Sequence, residues 1–393
     1  MQPAATNRIA SIDILRGLVM IIMALDHTRD FFHETAMTAN PLDPATAPPV
    51  LFFTRWITHF CAPVFVFLSG LSAYLSSLKK TKKEAGLFLI KRGLWLILVE
   101  ITLVTFGLTF NPLFSFIILQ VIWAIGWSMI ILGVLSFISY RLILITGLIL
   151  FFGHNILDYA SLPVTGIAGL CWSMFFRAPA IIPLSTSHTI GDFYAILPWT
   201  GPMLLGYCVG YWFRKDFPAV TRKKLLAITG VSLTALFIGL RFINLYGNPL
   251  PWVKGDALVY NLLAFLNTSK YPPSLQYLCM TLGPACLIMS LLDAAKRRWS
   301  AIASVYGRVP FFYYILHFYL LHIILVILFF VSGRGISEIV DTQSLFLFRP
   351  VTFGYSLPVV YAIWLGVVIL LYLPCRWFAR YKRTHTRWWL SYV

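Results

Sequence analysis

The chain has 393 residues, 59% of them hydrophobic and 11% charged, with a mean hydropathy of +0.80. Soluble domains run at about 45–50% apolar and about 25% charged, so this apolar excess cannot be hidden in one globular core and must face lipid. A disordered chain and a disulfide-stapled secreted domain are excluded on the same numbers. Net charge is +17, from 31 Lys and Arg against 14 Asp and Glu, and its placement decides between a nucleic-acid and a membrane reading.

A bilayer core needs roughly 20 mostly apolar residues per helix. About ten such runs occur, at 12–32, 56–77, 93–110, 116–138, 142–157, 196–213, 225–243, 275–293, 309–331 and 357–377. The third to fifth are crowded enough for one to be re-entrant, giving a range of nine to eleven. The pattern predicts an all-α polytopic integral membrane helix bundle, a single transmembrane domain over 1–393, with a distinctive first helix pair at 8–77.

Basic residues fall between alternate runs. The clusters are Lys79–Lys83 with Lys91 and Arg92, Arg214–Lys224, Lys296–Arg308 and Arg376–Arg387. With Arg8, Arg16 and Arg141 they place 23 of the 31 basic residues on one side. The positive-inside rule makes that side cytoplasmic, both termini with it, and makes 378–393 a basic cytoplasmic tail. The charge is thus a topology signal and implies no nucleic-acid partner. Clusters near anionic lipid attract its headgroups, and the early lysines can also attract nucleotide phosphates.

The outer segments 33–55, 158–195, 244–274 and 332–356 are rich in Pro, Asn, Thr, Tyr and Trp. Aromatics there, such as Trp172, Trp199, Tyr246 and Trp252, can stack on sugar faces, though Trp and Tyr are equally at home at a membrane interface. The first apolar run is too long for a cleavable signal peptide and reads as a retained anchor. The six cysteines show no CxxC pair and no disulfide framework. No phosphate loop, HExxH, heptad seam or fixed-period repeat is present, so chemistry is expected among the membrane helices.

The first helix carries the strongest signal. An ionisable group at membrane depth costs roughly 2.5–3.5 kcal/mol on insertion scales and is a functional hypothesis by default. Arg16 and His27 are eleven residues apart, a net rotation of about 20° and a rise of roughly 16 Å, so they share one helix face. That spacing suits a ligand with an anionic head at the cytoplasmic surface and a reactive end partway across. Asp13 can pair with Arg16 across one turn, which would also fit a plain interfacial anchor.

His27 belongs to a dense group with Asp26, Arg29, Asp30, His33 and Glu34. On a helix Asp30 shares the His27 face and can accept its Nδ1–H, while Asp26 points elsewhere and can pair with Arg29. Further polar groups in or near spans are His59, Ser69, Glu100, Gln120, His317 and His322. The last two are five residues apart, so at most one lines a common cavity. Pro63, Gly70, Pro198, Gly201, Pro202, Gly206 and Gly210 read as kinks and close helix packing.

The pattern of Arg16, ten residues and His27 within Ile12-Asp-Ile-Leu-Arg-Gly resembles the Arg-x10-His motif of a membrane acyltransferase superfamily. The stretches from Arg8 to Gly70, from Leu197 to Tyr207 and from Gly307 to His317 are similar to bacterial relatives of heparan-α-glucosaminide N-acetyltransferase. The resemblance implies a helix bundle in a bacterial inner membrane that takes acetyl-CoA from the cytoplasm and acylates a sugar or glycan on the far side. It implies that Arg16, with Asp13, belongs to the donor path and that His27 is the catalytic histidine. The same family pattern can also be set on His33 with Asp26, so His27 ranks first and His33 second.

Acyl transfer from a thioester needs a base, donors for the oxyanion and alignment of two substrates. The expected site is therefore His27 oriented by Asp30, with His59, Ser69 or His317 as oxyanion or substrate donors; an acyl-His intermediate is the kinetic alternative. No histidine pair has tight metal-ligand spacing, so no metal is expected. The partners implied are lipid, acyl-CoA and a sugar acceptor, with a homodimer equally compatible. The rival class is a proton-coupled transporter of a small polar solute, against which the absence of a matched pair of broken helices counts.

Overall fold

The computed structural model describes residues 9–160, 166–292 and 297–392. Arg8 and Lys296, two of the basic residues counted above, lie outside these, as do residues 161–165 of the second outer segment and Val393 of the tail. In chain order the helices are α1 (Ala10–Phe32), α2 (Pro49–Thr58), α3 (Cys61–Ser77), α4 (Lys82–Val99), α5 (Thr105–Thr109), α6 (Val121–Ile138), α7 (Tyr140–Gly153) and α8 (Gly166–Trp172). They continue with α9 (Ile196–Val209), α10 (Ala219–Ile243), α11 (Leu258–Leu266), α12 (Leu275–Leu292), α13 (Arg298–Arg308), α14 (Pro310–Val331) and α15 (Leu357–Thr384). Strands β1 (Phe116–Leu119), β2 (Ala180–Pro183) and β3 (Thr189–Asp192) form one small sheet in the order β1-β3-β2.

Among the described residues, seven helical stretches are long and apolar enough to cross a membrane: Pro49–Ser77, Val121–Ile138, Tyr140–Tyr159, Ala219–Ile243, Leu275–Leu292, Pro310–Val331 and Leu357–Thr384. The three remaining apolar runs are helical too, as α1, α4 with α5, and α9, but they carry more charge or are shorter. The helical, membrane-spanning architecture expected from the run pattern is therefore present. Two runs differ in detail. The run 56–77 is broken between α2 and α3, and the run 116–138 opens with β1 rather than with helix.

The second difference has a physical reason. Aromatic and β-branched Phe116, Ile117 and Ile118 fit a pleated surface, and β3 offers them an edge. Gln120 leaves the strand with φ −116° and ψ −149° and gives α6 no side-chain cap. The cap comes from elsewhere: Glu100 accepts from the N–H of Gln120 at 2.5 Å and from that of Trp123. Glu100 opens a π-helical stretch, Glu100–Val104, that follows α4. The carboxylate thus satisfies orphan donors at a helix N-terminus, a structural role for two residues that stood out as intramembrane polar groups.

The chain gathers into two compact units. Unit one is Met1–Cys61, Leu103–Phe116 and Leu292–Val393; unit two is Ala62–Thr102 and Ile117–Leu291. In unit one, α1 packs against α2, α13, α14 and α15. Its closest approach is to α13, where a Cβ on Gly17 would lie 1.8 Å from the Ala303 carbonyl oxygen and one on Gly307 would lie 1.8 Å from that of Asp13. Only glycines allow this backbone contact. In unit two, α4 packs on α6, α7 on α9 and α6 on α9. There α3 and α9 meet through Gly70 and Gly206, whose added Cβ atoms would fall 2.0 Å and 2.1 Å from the carbonyl oxygens of Met203 and Phe67.

Candidate active site

The polar groups of α1, a helix of unit one, are organised at its two ends. Near the start of the helix, Asp13 lies 3.7 Å from Arg16 Nη1 and 3.8 Å from Arg308 Nε, and Arg16 donates to the Gly307 carbonyl at 3.2 Å. The pairing of Asp13 with Arg16 is as the spacing predicts; Arg308 is an addition that sequence distance hid.

Toward the other end, the ring of His27 meets His317 at 5.2 Å between centroids and the edge of Phe318 at 4.5 Å. Arg16 thus faces the end of α13 while His27 faces α14, and both lie on the face of α1 turned to that pair of helices. The chain reverses between the two at Val309, with Pro310 opening α14. Of the two histidines on α14, His317 joins His27, whereas His322 stacks on Phe110 at 3.9 Å and meets the Leu347 carbonyl at 3.0 Å. The five-residue spacing separates them as expected.

His317 is fully buried, and its Nδ1 faces the Tyr313 carbonyl at 3.3 Å. A carbonyl can only accept, so Nδ1 carries the proton and the neutral ring presents Nε2 as an acceptor. Nε2 is buried with no hydrogen-bond partner among the described residues. The expected role of His317 as a donor to an oxyanion therefore fits only its protonated form, and the neutral ring is suited to accepting a proton. A donor of the right kind stands beside it: the Tyr313 hydroxyl is buried with no partner among the described residues, its ring stacked on His317 at 5.7 Å. Tyr313 was not singled out in the sequence, although its place four residues before His317 on one helix face was a usable signal.

The acids around His27 hold cations. Asp30 is bonded to Arg29, and Asp26 is paired with Arg55 from α2 and lies 3.8 Å from Arg29. The pairing of Asp26 with Arg29 is present as expected, and the stronger partner Arg55 comes from a different helix. The orientation of His27 by Asp30 thus competes with Arg29 for the same carboxylate.

His33 closes α1 as its C-cap residue. Thr35 N–H donates to its Nδ1 at 3.3 Å, its carbonyl accepts from Arg349, and it bridges to Tyr355. Burial, and after it the Arg29 charge, hold its pKa below the usual 6.5, so the ring is neutral and its Nδ1 is occupied. Arg349 is fully buried and also donates to the carbonyls of Pro350 and Phe353, fastening the segment before α15 to the end of α1; burial lowers its pKa to about 10.

His59 is fully buried after α2, its backbone N–H donating to Trp56 at 3.0 Å. Ser69 is half-buried on α3 in unit two. Among the described residues no group of three or more His, Cys, Asp or Glu side chains is set to hold a metal ion. Among the described residues no disulfide joins the cysteines. Of the outer-segment aromatics, Tyr246 bonds the Phe152 carbonyl and Trp252 the Arg241 carbonyl, Trp172 stacks on Phe176, and Trp199 is fully buried within α9 rather than in a loop.

The family model for the catalytic domain of heparan-alpha-glucosaminide N-acetyltransferase matches residues 8–243. The chain belongs to this family. The match covers α1 to α10, with Arg16, His27 and His33 inside it and His317 beyond its end. No curated protein matches the chain. Membership, together with the long apolar helices, makes the chain an integral membrane protein of an acetyltransferase family. Within this heparan-alpha-glucosaminide N-acetyltransferase family member, the matched part of unit one supplies the helix that bears both the arginine and the first-ranked histidine.

Proposed function

We propose that the chain transfers an acetyl group from cytoplasmic acetyl-CoA to an amine or hydroxyl of an extracytoplasmic sugar, with His27 as general base. The reading is carried by one observation, the pairing of His27 with His317 on the face of α1 that also presents Arg16 to the end of α13. It places both termini and the basic clusters on the cytoplasmic side.

In this reading Arg16 meets an anionic part of the donor near the start of α1, with Asp13 and the Gly307 carbonyl fixing its guanidinium. His27 removes the proton from the acceptor as the nucleophile attacks the thioester carbonyl. The new C–N or C–O bond forms, the C–S bond breaks, and the proton held on His27 leaves with the CoA thiol. The His317 ring packs against His27 with its Nε2 left as an open acceptor, and the Tyr313 hydroxyl donates to the oxyanion, an interaction that strengthens as charge develops. Asp26 and Asp30 keep Arg29 and Arg55 neutralised beside the ring. His33, its Nδ1 occupied and its carbonyl bound to Arg349, serves the fold of the outer segment.

The test is reconstitution of the purified chain in proteoliposomes with labelled acetyl-CoA and D-glucosamine. Label recovered on the sugar, with stoichiometric release of free CoA thiol, supports the reading. Uptake of unmodified sugar driven by a proton gradient, with no thiol released, overturns it in favour of a transporter.

A further inference from the structure

The transferase reading leaves one face of α15, in unit one, without a role. Of the seven stretches able to cross a membrane, Leu357–Thr384 is the least enclosed by the rest of the chain. Its buried residues Val360, Val367, Leu371 and Phe378 share one side of the helix. At about 100° per residue, Leu365, Ile369 and Leu373 lie within about 40° of the opposite direction. They are 50%, 69% and 68% exposed, and a Cβ added to the adjoining Gly366 would meet nothing within 4 Å. The result is an open apolar stripe that points away from the protein.

The same sector continues toward the end of α15 as a row of cations. Arg376, Arg380 and Arg383 fall within about 40° of the direction that Ile369 sets, and all three are exposed. No Asp or Glu follows Asp341 in the sequence, so neither α15 nor the tail supplies a neutralising acid. The other basic clusters are accompanied: Arg214 is paired with Asp216 at 2.8 Å, Arg308 lies 3.8 Å from Asp13, and Glu84 follows Lys82 and Lys83. Beyond α15 the tail is folded back. Leu390 is buried, the Trp389 ring stacks on Phe378 and Tyr381 at 6.3 Å each, and Phe378 stacks on Phe312 of α14 at 4.2 Å. Trp388, 79% exposed, and Arg387 are left at the surface at this end, the pairing of residue types that a headgroup layer favours.

An apolar stripe that passes into an unneutralised cationic row along one helix face has the lengthwise order of a phospholipid. From Leu365 to Arg376 the rise is about 16 Å, close to half of a hydrocarbon core about 30 Å thick, which is the depth of one leaflet. We propose that this face of α15 binds one anionic phospholipid, an acyl chain lying along Leu365, Ile369 and Leu373 and the phosphate accepting from Arg376 and Arg380, with Arg383 adding to the field. An acidic soluble protein would cover the arginines and leave the apolar stripe unmatched. A second copy paired through this face about a two-fold axis along the membrane normal would set its arginines against the same arginines, a like-charge contact. The proposal does not depend on the transferase reading.

Native mass spectrometry of the purified full chain with phosphatidylglycerol or phosphatidylcholine tests it, thermal unfolding confirming that each variant folds. The expected result is phosphatidylglycerol bound about tenfold or more tighter than phosphatidylcholine, a preference lost in Arg376→Gln with Arg380→Gln and partly lost in Arg380→Gln alone. Lys223→Gln with Lys224→Gln, which removes the same charge at the exposed start of α10, keeps phosphatidylglycerol affinity within about twofold. Leu373→Ser weakens both lipids. Equal binding of the two lipids by wild type overturns the proposal, and equal loss in the two double variants reduces it to diffuse charge. Disulfide cross-linking of Ile369→Cys into a dimer, undiminished by added phosphatidylglycerol, overturns it in favour of a second copy.

Discussion

The rings of His27 and His317 lie 5.2 Å apart between centroids, at 49° to one another, although 290 residues of sequence separate them. Nδ1 of His317 faces the Tyr313 carbonyl, which leaves Nε2 as the acceptor beside the His27 ring, and the proposed mechanism makes His27 the base. His317→Gln keeps a polar group of similar reach but cannot hold a proton, and a fall in kcat of about 10–100-fold with an unchanged KM for acetyl-CoA is expected. A structural role alone would lower thermal stability and leave the kcat of the folded fraction intact. The readout is kcat per folded protein.

The Asp26–Arg55 pair is buried, with side chains 11% and 12% exposed. Breaking such a pair on one side leaves an uncompensated charge, worth about 3–5 kcal/mol. Arg55→Met should lower stability by that order, and Asp26→Asn combined with Arg55→Met should recover a large part of the loss. Urea titration of the detergent-solubilised protein measures both, and additive losses in the double variant would show the two side chains to be uncoupled.

Gly17 and Gly239 make a contrasted pair. An added Cβ on Gly17 meets the Ala303 carbonyl at 1.8 Å, whereas nothing lies within 4 Å of one on Gly239. Gly17→Ala should force α1 from α13 and destabilise by more than about 2 kcal/mol, in the range of overpacked interiors. Gly239→Ala should be neutral or stabilising by up to about 1 kcal/mol, as an alanine in an exposed helix is. Equal melting temperatures for the two variants would contradict the packing described for α1.

His33 gives a pH dependence with a definite sign. Its folded pKa lies below 6.5, so the unfolded chain binds more protons as pH falls past 6.5 and the folded state loses stability in that direction. The stability that neutral His33 contributes is complete above pH 7.5 and declines on acidification below 6.5. Melting temperatures of wild type and His33→Gln between pH 7.5 and 5 should diverge, with the wild type falling further. Parallel curves would remove His33 from the account of the outer segment.

Arg349 supplies a fifth check. Its donors reach the carbonyls of His33, Pro350 and Phe353. Arg349→Met should free amide exchange in 341–355 and at Glu34, whose N–H donates to the Tyr355 carbonyl at 3.1 Å, while the middle of α15 stays protected. Uniform exchange across the chain would mean global unfolding instead.

The membrane architecture was legible because lipid enforces it: each span must be long, apolar and internally hydrogen-bonded, and the apolar runs show that directly. The pairing of Asp13 with Arg16 and of Asp26 with Arg29 was legible for a related reason, since residues three apart on a helix are neighbours. Arg55, Arg308 and Arg349 were not, because each reaches its partner from another part of the chain. Strand β1 was hidden within an apolar run, where periodicity does not distinguish a short buried strand from a helix. Glu100 looked functional in the sequence because its partners, the first N–H groups of α6, have no side chains to announce them. Trp199 sits inside α9 and not in an outer segment.

The central claim is that His27, not His33, handles the acceptor proton. Purified wild type, His27→Ala and His33→Ala, each shown to be folded by thermal unfolding, are given labelled acetyl-CoA and D-glucosamine in proteoliposomes. The account predicts label on the sugar for wild type, a loss of about 10²–10⁴-fold for His27→Ala, and retained turnover for the folded fraction of His33→Ala. Undiminished transfer by His27→Ala, with loss in His33→Ala, would contradict it.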